Sequence, residues 1–500
     1  MKAQATLLLV ILVFAAIPSA ATIEYSVSLA QPDQHLFRVT MTVPNVEEEL
    51  VVAMPAWNAF YQIRDFAHRV QNVRARSEDA VLRVTKDDKQ TWRITRVANS
   101  ERPLERVIIE YAVYWDDPGP FSSQLNSTHG FLNPAMVLFY VPSRRGEDSR
   151  LGLTDVPTGW SAATALKPGE TSFTFRAGNY DLLVDAPVEV SAFEETRLEV
   201  AGARIRLAVH GTDWDRSALS DSIRRIVAYQ VGLMREVPFH EFIFIYHFGL
   251  GGGGGMEHAN STAIDLGPRG WAAGVTAHEF FHLWNVKRIR PSSLEPVDYS
   301  REQWTRALWF GEGVTNTYGA FTLVRTGLWS SRQFFDDLGD QMGDLESRPA
   351  YRWQSAEQSS LDAWHERYPL YRRPEFSVSY YTKGQVLGVL LDILIRDATN
   401  NRASLDDVLR HMNAEFARRG RFYDDSADIR AAVEKVAGRD FSEFFARYVA
   451  GADALPFRTV LGLAGLTLTP RGRSYTISEA ENATEKQRRI REGLLRGTTD

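Results

Sequence analysis

The chain has 500 residues, 44% of them hydrophobic and 24% charged, the balance of a globular protein burying a core in about two to four domains. A net charge of −6 with no long basic run excludes a nucleic-acid partner, since nothing gathers enough positive charge to neutralise a phosphate backbone. The lack of cysteine excludes a disulfide framework, a thiolate metal site and a lipid-modified N-terminal cysteine, so a metal must be held by histidine and carboxylate.

Residues 1–21 read as a secretory signal. Lys2 is the positive start, Leu7 to Ile17 is apolar, and Ser19 and Ala21 give the small-x-small cleavage pattern. A mature start near Thr22 and a secreted or bacterial periplasmic location are expected. The apolar run is shorter than the roughly 20 residues a span needs, so no membrane span is expected after cleavage.

From residue 22 to 203 the pattern is strand-like. Phe37, Val39, Met41 and Val43 alternate with Arg38, Thr40 and Thr42. Further strands are expected at Val107 to Tyr114, Met136 to Val141, and around Phe173 and Phe175. Clusters such as Asp116-Asp117-Pro118-Gly119-Pro120 separate them. This predicts an N-terminal antiparallel β domain of sandwich type. Trp57, Phe60 and Tyr61 read as core or interface aromatics. His35, His68 and His129 stand singly and read as surface or capping groups rather than ligands.

Residues 204–325 change character. Arg204 to Val209 alternates, a helix follows with Leu219, Ile223, Ile226, Val227 and Met234 at helical spacing, and Phe242 to Tyr246 is an apolar strand. Strand, helix and strand predict a mixed α/β domain. Gly249 to Gly255, with only Leu250 interrupting the glycines, then leads into Met256-Glu257-His258 and the strand-like Ser261 to Leu266. Flexible linkers are usually polar. Glycines here let a substrate backbone approach a strand edge, so Gly254, Gly255 and Met256 are read as a substrate-cradling edge. The Gly-Lys-Ser/Thr end of a P-loop is missing.

Next comes Thr276-Ala277-His278-Glu279-Phe280-Phe281-His282, an H-E-x-x-H stretch. Four residues is about one helical turn, so both imidazoles leave one face and can reach one zinc ion. Glu279, beside them, can act as general base toward an attacking water. The helix must end before Pro291, and Lys287, Arg288 and Arg290 suit the negative end of its dipole. Glu312 lies between glycines in an apolar stretch and is the candidate third ligand. Two histidines, a glutamate and a water make an open catalytic zinc site. Asn316, one turn on, is a candidate to orient a ligating histidine. Residues 326–455 read as a helical C-terminal lobe. From 456 to 500 a short strand precedes a charged tail, Glu485 to Asp500, expected to fray.

Three blocks now stand in order: Gly254-Gly255-Met256-Glu257-His258, the run His278 to Pro291, and Trp309-Phe310 with Glu312, Gly313 and Thr315. With Tyr381, Lys383 and Gly384 they resemble the glycyl aminopeptidase family of gluzincin metallopeptidases. The resemblance extends to Pro55-Ala56-Trp57, Ile63 to Phe66, Tyr180 to Pro187 and Leu405 to Asp407. It implies an α+β multidomain fold: an N-terminal β domain, a thermolysin-like zinc domain and a helical lobe. It implies one zinc on His278, His282 and Glu312, with Glu279 as general base. Glu257 would hold the substrate's free amine, and Tyr381, rather than Tyr380, would stabilise the oxyanion. The implied activity is aminopeptidase action on peptides with a free N-terminus, favouring glycine or alanine. Two departures stand out. The residues after Pro456 are too few for the family's complete PDZ-type domain, and Asn58-Ala59-Phe60 replaces a Pro-Gly turn. The rival readings are an endopeptidase on the same fold and a non-catalytic secreted binding protein.

Overall fold

The computed structural model describes residues 22–58, 61–78, 80–97 and 102–497. The expected signal segment and Phe60 lie outside them. Among the described residues no helix is long and apolar enough to cross a membrane.

The alternating stripe Phe37, Val39, Met41 and Val43 is buried and belongs to a long strand, Leu36–Val46, inside a seven-stranded sheet. It pairs antiparallel with Ile23–Ser28 and Glu105–Tyr114. The domain is not wholly antiparallel as expected, because Ile23–Ser28 runs parallel to Ser149–Thr154. A three-stranded and a four-stranded sheet accompany this sheet. Met136 to Val141 does not form the expected strand. It crosses the core after a short 3₁₀ turn, Pro134–Met136, with one bridge between Ala53 and Tyr140. Its buried carbonyls are satisfied by side chains instead of a ladder: Trp115 Nε1 donates to Met136 O (3.2 Å), Tyr111 to Val137 O (3.1 Å), Tyr180 to Leu138 O (2.8 Å) and Tyr25 to Phe139 O (2.9 Å).

The second sheet has five strands in the order Glu194–Val200, Ala203–Gly211, Phe242–Phe248, Ser261–Leu266, Gly254–Glu257. Glu194–Val200 was expected in the first domain. It joins this sheet because Ala201 and Gly202, both at positive φ, make a two-residue hairpin turn onto Ala203–Gly211. The three inner strands are parallel. Phe242, Phe244 and Tyr246 face the main core with the helices Arg216–Met234 and Ala273–Phe281, while Ile243, Ile245 and Ala263 face the N-terminal domain through Phe131. Gly254–Glu257 is the edge strand, antiparallel to Ser261–Leu266.

The C-terminal lobe is helical around Tyr380–Ala398, which buries the ion pair Asp392–Arg396 (2.7 Å) along with its apolar residues. As far as the described residues reach, to Gly497, the tail does not fray. Leu466–Arg471 and Ser474–Glu479 form a hairpin, and Glu485–Arg496 is a helix with a Thr484–Gln487 capping box. Ile490 and Leu494, one turn apart, are fully buried, an apolar stripe masked by the charges around it. The hairpin crosses the helix Ser331–Ser347 where Gly339 and Gly343 allow its backbone to touch.

Candidate active site

His278 and Glu279 lie in the last turn of the helix Ala273–Phe281, and His282 is its C-cap. Glu312 reaches them from Trp309–Val314, a π-helical turn. Such widened turns recur where a side chain must be re-aimed. The two histidine Nε2 atoms are 2.9 Å apart, and Glu312 Oε2 lies 3.5 Å from His278 Nε2 and 3.2 Å from His282 Nε2. A tetrahedral ion with bonds of about 2.0–2.1 Å separates its ligands by about 3.3–3.4 Å. The three donors therefore converge on a hole of ionic size. His282 Nδ1 bonds Asn285 O at 2.7 Å, which turns its Nε2 toward that hole. Burial opposes charge on Glu312, yet the two imidazoles hold its carboxyl below the usual range. Against burial, Glu312 in turn lifts His282 to about 10. Burial and the neighbouring His282 push His278 the other way, down, and the donor set of two imidazoles and a carboxylate fits a divalent cation.

Asn316 does not orient a ligand. That work falls to Asn285, whose carbonyl takes His282 and the Thr315 hydroxyl (3.1 Å) and whose amide donates to Phe310 O (2.8 Å). One residue thus ties the histidine helix to the π turn. Of the basic residues after the helix, Arg288 donates to Leu283 O at 2.8 Å, as expected of a cation at the helix end. Lys287 and Arg290 turn instead to Asp185 and Glu295.

Glu279 is 5% exposed. Burial pushes its carboxyl well above the usual range, and the neighbouring Glu257 and Glu312 add to this while His282 opposes it. Gly255 lies directly against it: a Cβ there would run into Glu279 Cγ and Oε1. Gly254 is at φ +98°, against Phe121. Met256 lines the cleft beside Gly255 and Glu257, though it is largely buried, with Asn133 Nδ2 at 3.7 Å from its sulfur. Glu257 ends the strand, with its carboxylate within 4.8 Å of donor atoms of both Glu279 and His282.

Tyr381 lines the same cleft, its ring centroid 6.2 Å from that of His278. Burial raises its hydroxyl well above 10 and Glu312 adds to this, so it stays a proton donor at neutral pH. Tyr380 faces the core at 2% exposure. Lys383 turns inward to Gln354 O at 3.0 Å. The cleft has a volume of about 330 Å³ and is walled also by Trp57, Tyr61 and Tyr299. The residue that motif reading missed is Asp185. It comes from the N-terminal domain and binds Lys287 Nζ (2.7 Å), His258 Nδ1 (3.3 Å) and the Ala259 N–H (3.0 Å). Its block, Tyr180 to Pro187, was visible, but nothing in the linear order placed it beside the catalytic strand.

Two family models match the chain: the M61 N-terminal domain over residues 24–192 and the M61 glycyl aminopeptidase over 271–387, together more than half its length. None of the curated proteins matches it in sequence. Among solved structures, an aminopeptidase N family protein from Idiomarina loihiensis is 26% identical, with 90% of this chain and 79% of that chain covered and a TM-score of 0.84. Two more share the fold. An M1 zinc metallopeptidase from Deinococcus radiodurans is 14% identical over 87% of this chain and 95% of its own, with a TM-score of 0.50. Yeast LTA4 hydrolase is 13% identical over 88% and 67%, with a TM-score of 0.51. With the peptidase model lying across His278, Glu279, His282, Glu312 and Tyr381, and its N-terminal companion across the β domain, the chain belongs to the M61 glycyl aminopeptidase family of gluzincin peptidases.

Proposed function

We propose that the protein is a zinc-dependent aminopeptidase that removes the first residue from peptides with a free N-terminus. The observation that carries this is the place of Glu257: an anion at the end of an edge strand, within 4.8 Å of donor atoms of Glu279 and His282. A carboxylate so close to the reacting centre pairs with an ammonium one residue from the scissile carbonyl. A longer N-terminal extension would have to pass through it.

His278, His282 and Glu312 would hold the zinc. When bound, it supplies a Lewis acid that polarises the scissile carbonyl and brings a water to a pKa of about 7. Glu279 takes the proton of the attacking water and returns it to the leaving amine. Its neighbour Gly255 leaves room for both the carboxylate and a substrate backbone along the edge strand. Tyr381, held protonated, donates to the oxyanion as it forms. Preference for a small first residue such as glycine or alanine is part of this reading, with the match to a glycyl aminopeptidase family supporting the glycine, and residues 1–21 are read as an export signal.

The test is a panel of aminoacyl-arylamides, run with and without a chelator, beside one peptide in free and N-acetylated forms. Glycyl and alanyl substrates should lead the panel, chelation should abolish turnover, and the acetylated peptide should resist. Equal cleavage of the free and acetylated peptides would replace this reading with an endopeptidase. A protein that carries no metal and cleaves nothing would favour a binding role.

A further inference from the structure

A second cluster of metal-ligating residue types lies outside the cleft lining, where the two β layers meet. Phe131, Ile243, Ile245 and Ala263 form a small dry contact between the four-stranded sheet and the central sheet. Two residues along the same strands the contact turns polar. His129 lies on His129–Leu132, Glu189 on Val188–Ser191 and His247 on Phe242–Phe248. Their exposures are 1%, 0% and 1%. Glu189 Oε2 lies 3.0 Å from His247 Nε2 and 3.5 Å from His129 Nδ1, and one donor atom from each residue lies within 4.8 Å of the others. This is the donor set of the catalytic cluster, at similar spacings. His129 is therefore neither a surface nor a capping residue.

Protonation decides what such a cluster needs. Gln124 Nε2 donates to Asp116 Oδ1 at 2.9 Å, which turns Gln124 Oε1 toward His129 Nε2 at 3.0 Å. His129 Nε2 must then carry a hydrogen. In a neutral ring, Nδ1 is left with a bare lone pair facing the Glu189 carboxylate. Neither His129 Nδ1 nor Glu189 Oε1 has a hydrogen-bond partner. Among the described residues the ion pairs of Glu189 are both with histidines, with no lysine or arginine. Two facing acceptors buried together are costly, and a cation between them removes that cost.

We propose that His129, Glu189 and His247 form a second, structural metal site that takes a borderline divalent ion such as Zn²⁺ and clamps the N-terminal domain to the catalytic sheet. Two imidazoles and one carboxylate are ligands of that class. The clamp reaches the substrate strand through short steps. His247 pairs in register with Asp265, and Asp265 with Gly254. The site does not depend on the peptidase reading.

Zinc per chain, measured by elemental analysis on full-length protein dialysed against Zn²⁺ and then desalted, tests it. Wild type should carry two. The His278→Ala/His282→Ala double variant removes the catalytic donors, leaves this cluster untouched and should carry one. Adding Glu189→Gln should bring that to none and lower the thermal midpoint. A double variant without zinc would overturn the proposal in favour of a proton-held His–Glu–His triad, whereas one zinc in both wild type and the double variant would keep this site and count against the catalytic one. Zinc that survives Glu189→Gln would place the ion elsewhere and overturn it equally.

Discussion

Gly313 and Gly384 meet backbone to backbone. A Cβ on Gly384 would lie 2.8 Å from Gly313 Cα and closer still to Trp309 O, and a Cβ on Gly313 would meet Gly384 Cα. Gly313 follows Glu312 on the π turn, and Gly384 lies three residues after Tyr381 on the helix Tyr380–Ala398. This contact therefore sets the spacing between Glu312, the proposed metal ligand, and Tyr381, the proposed oxyanion donor. Gly384→Ala should destabilise by about 1–3 kcal/mol through overpacking and lower kcat more than the stability loss explains. Gly232→Ala, in a helix with open space around it, should be neutral or gain about 0.5–1 kcal/mol. Thermal unfolding and kcat on the two variants check this, and equal behaviour would show that the close approach does not position the site.

Glu279→Gln keeps size and hydrogen-bonding shape but removes the proposed base. Metal content should hold while kcat falls by about 10²–10⁴, the usual worth of a positioned general base. Gly255→Ala should fall in the same direction without touching any charge, because its methyl would displace the Glu279 carboxylate. Turnover and zinc content, measured together, separate loss of chemistry from loss of metal. A Glu279→Gln enzyme with wild-type kcat would remove Glu279 from the mechanism.

The clustering of His278, His282 and Glu312 was legible because its geometry is local: one helical turn carries the two histidines, and Glu312 stands out as a charge between glycines. The strand stripe Phe37 to Val43 was legible for the same reason, since burial of one face imposes a period of two. What escaped depends on distant partners. Met136 to Val141 has the composition of a strand, yet its carbonyls go to Tyr25, Tyr111, Trp115 and Tyr180, which no local pattern announces. Asn316 was chosen for its spacing, whereas the carbonyl of Asn285 holds His282, and backbone groups carry no residue-type signal. His129 looked solitary because Glu189 and His247 are brought to it only by the stacking of two sheets.

Tyr381→Phe removes the proposed donor to the forming oxyanion and should lower kcat by about 10²–10³ with little change in KM. Tyr380→Phe should cost far less turnover, because that ring faces the core. The adjacent pair thus tests the register directly. If Tyr380→Phe proved the more damaging of the two in kcat, the oxyanion role would belong to Tyr380.

Asp185 links the two domains beside the cleft, so its charge should matter to stability. Burial alone would raise its carboxyl, but the Lys287 ammonium and His258 override this and hold it well below the usual range. A carboxylate depressed in the folded state binds fewer protons there than in the unfolded chain. Its contribution is fully present above the unfolded pKa of about 3.9 and is lost as pH falls below it. Asp185→Asn should therefore be less stable than wild type at pH 7, by about 1.5–3 kcal/mol for a hydrogen-bonded charge. The gap should close as pH is lowered from about 4 toward 2. Other carboxylates, Glu189 and Glu312 among them, titrate in both proteins and cancel in the difference. Thermal midpoints of the two proteins across that range give the answer. A gap that stays constant down to pH 2 would mean that packing, and not the Asp185–Lys287 charge pair, holds this junction.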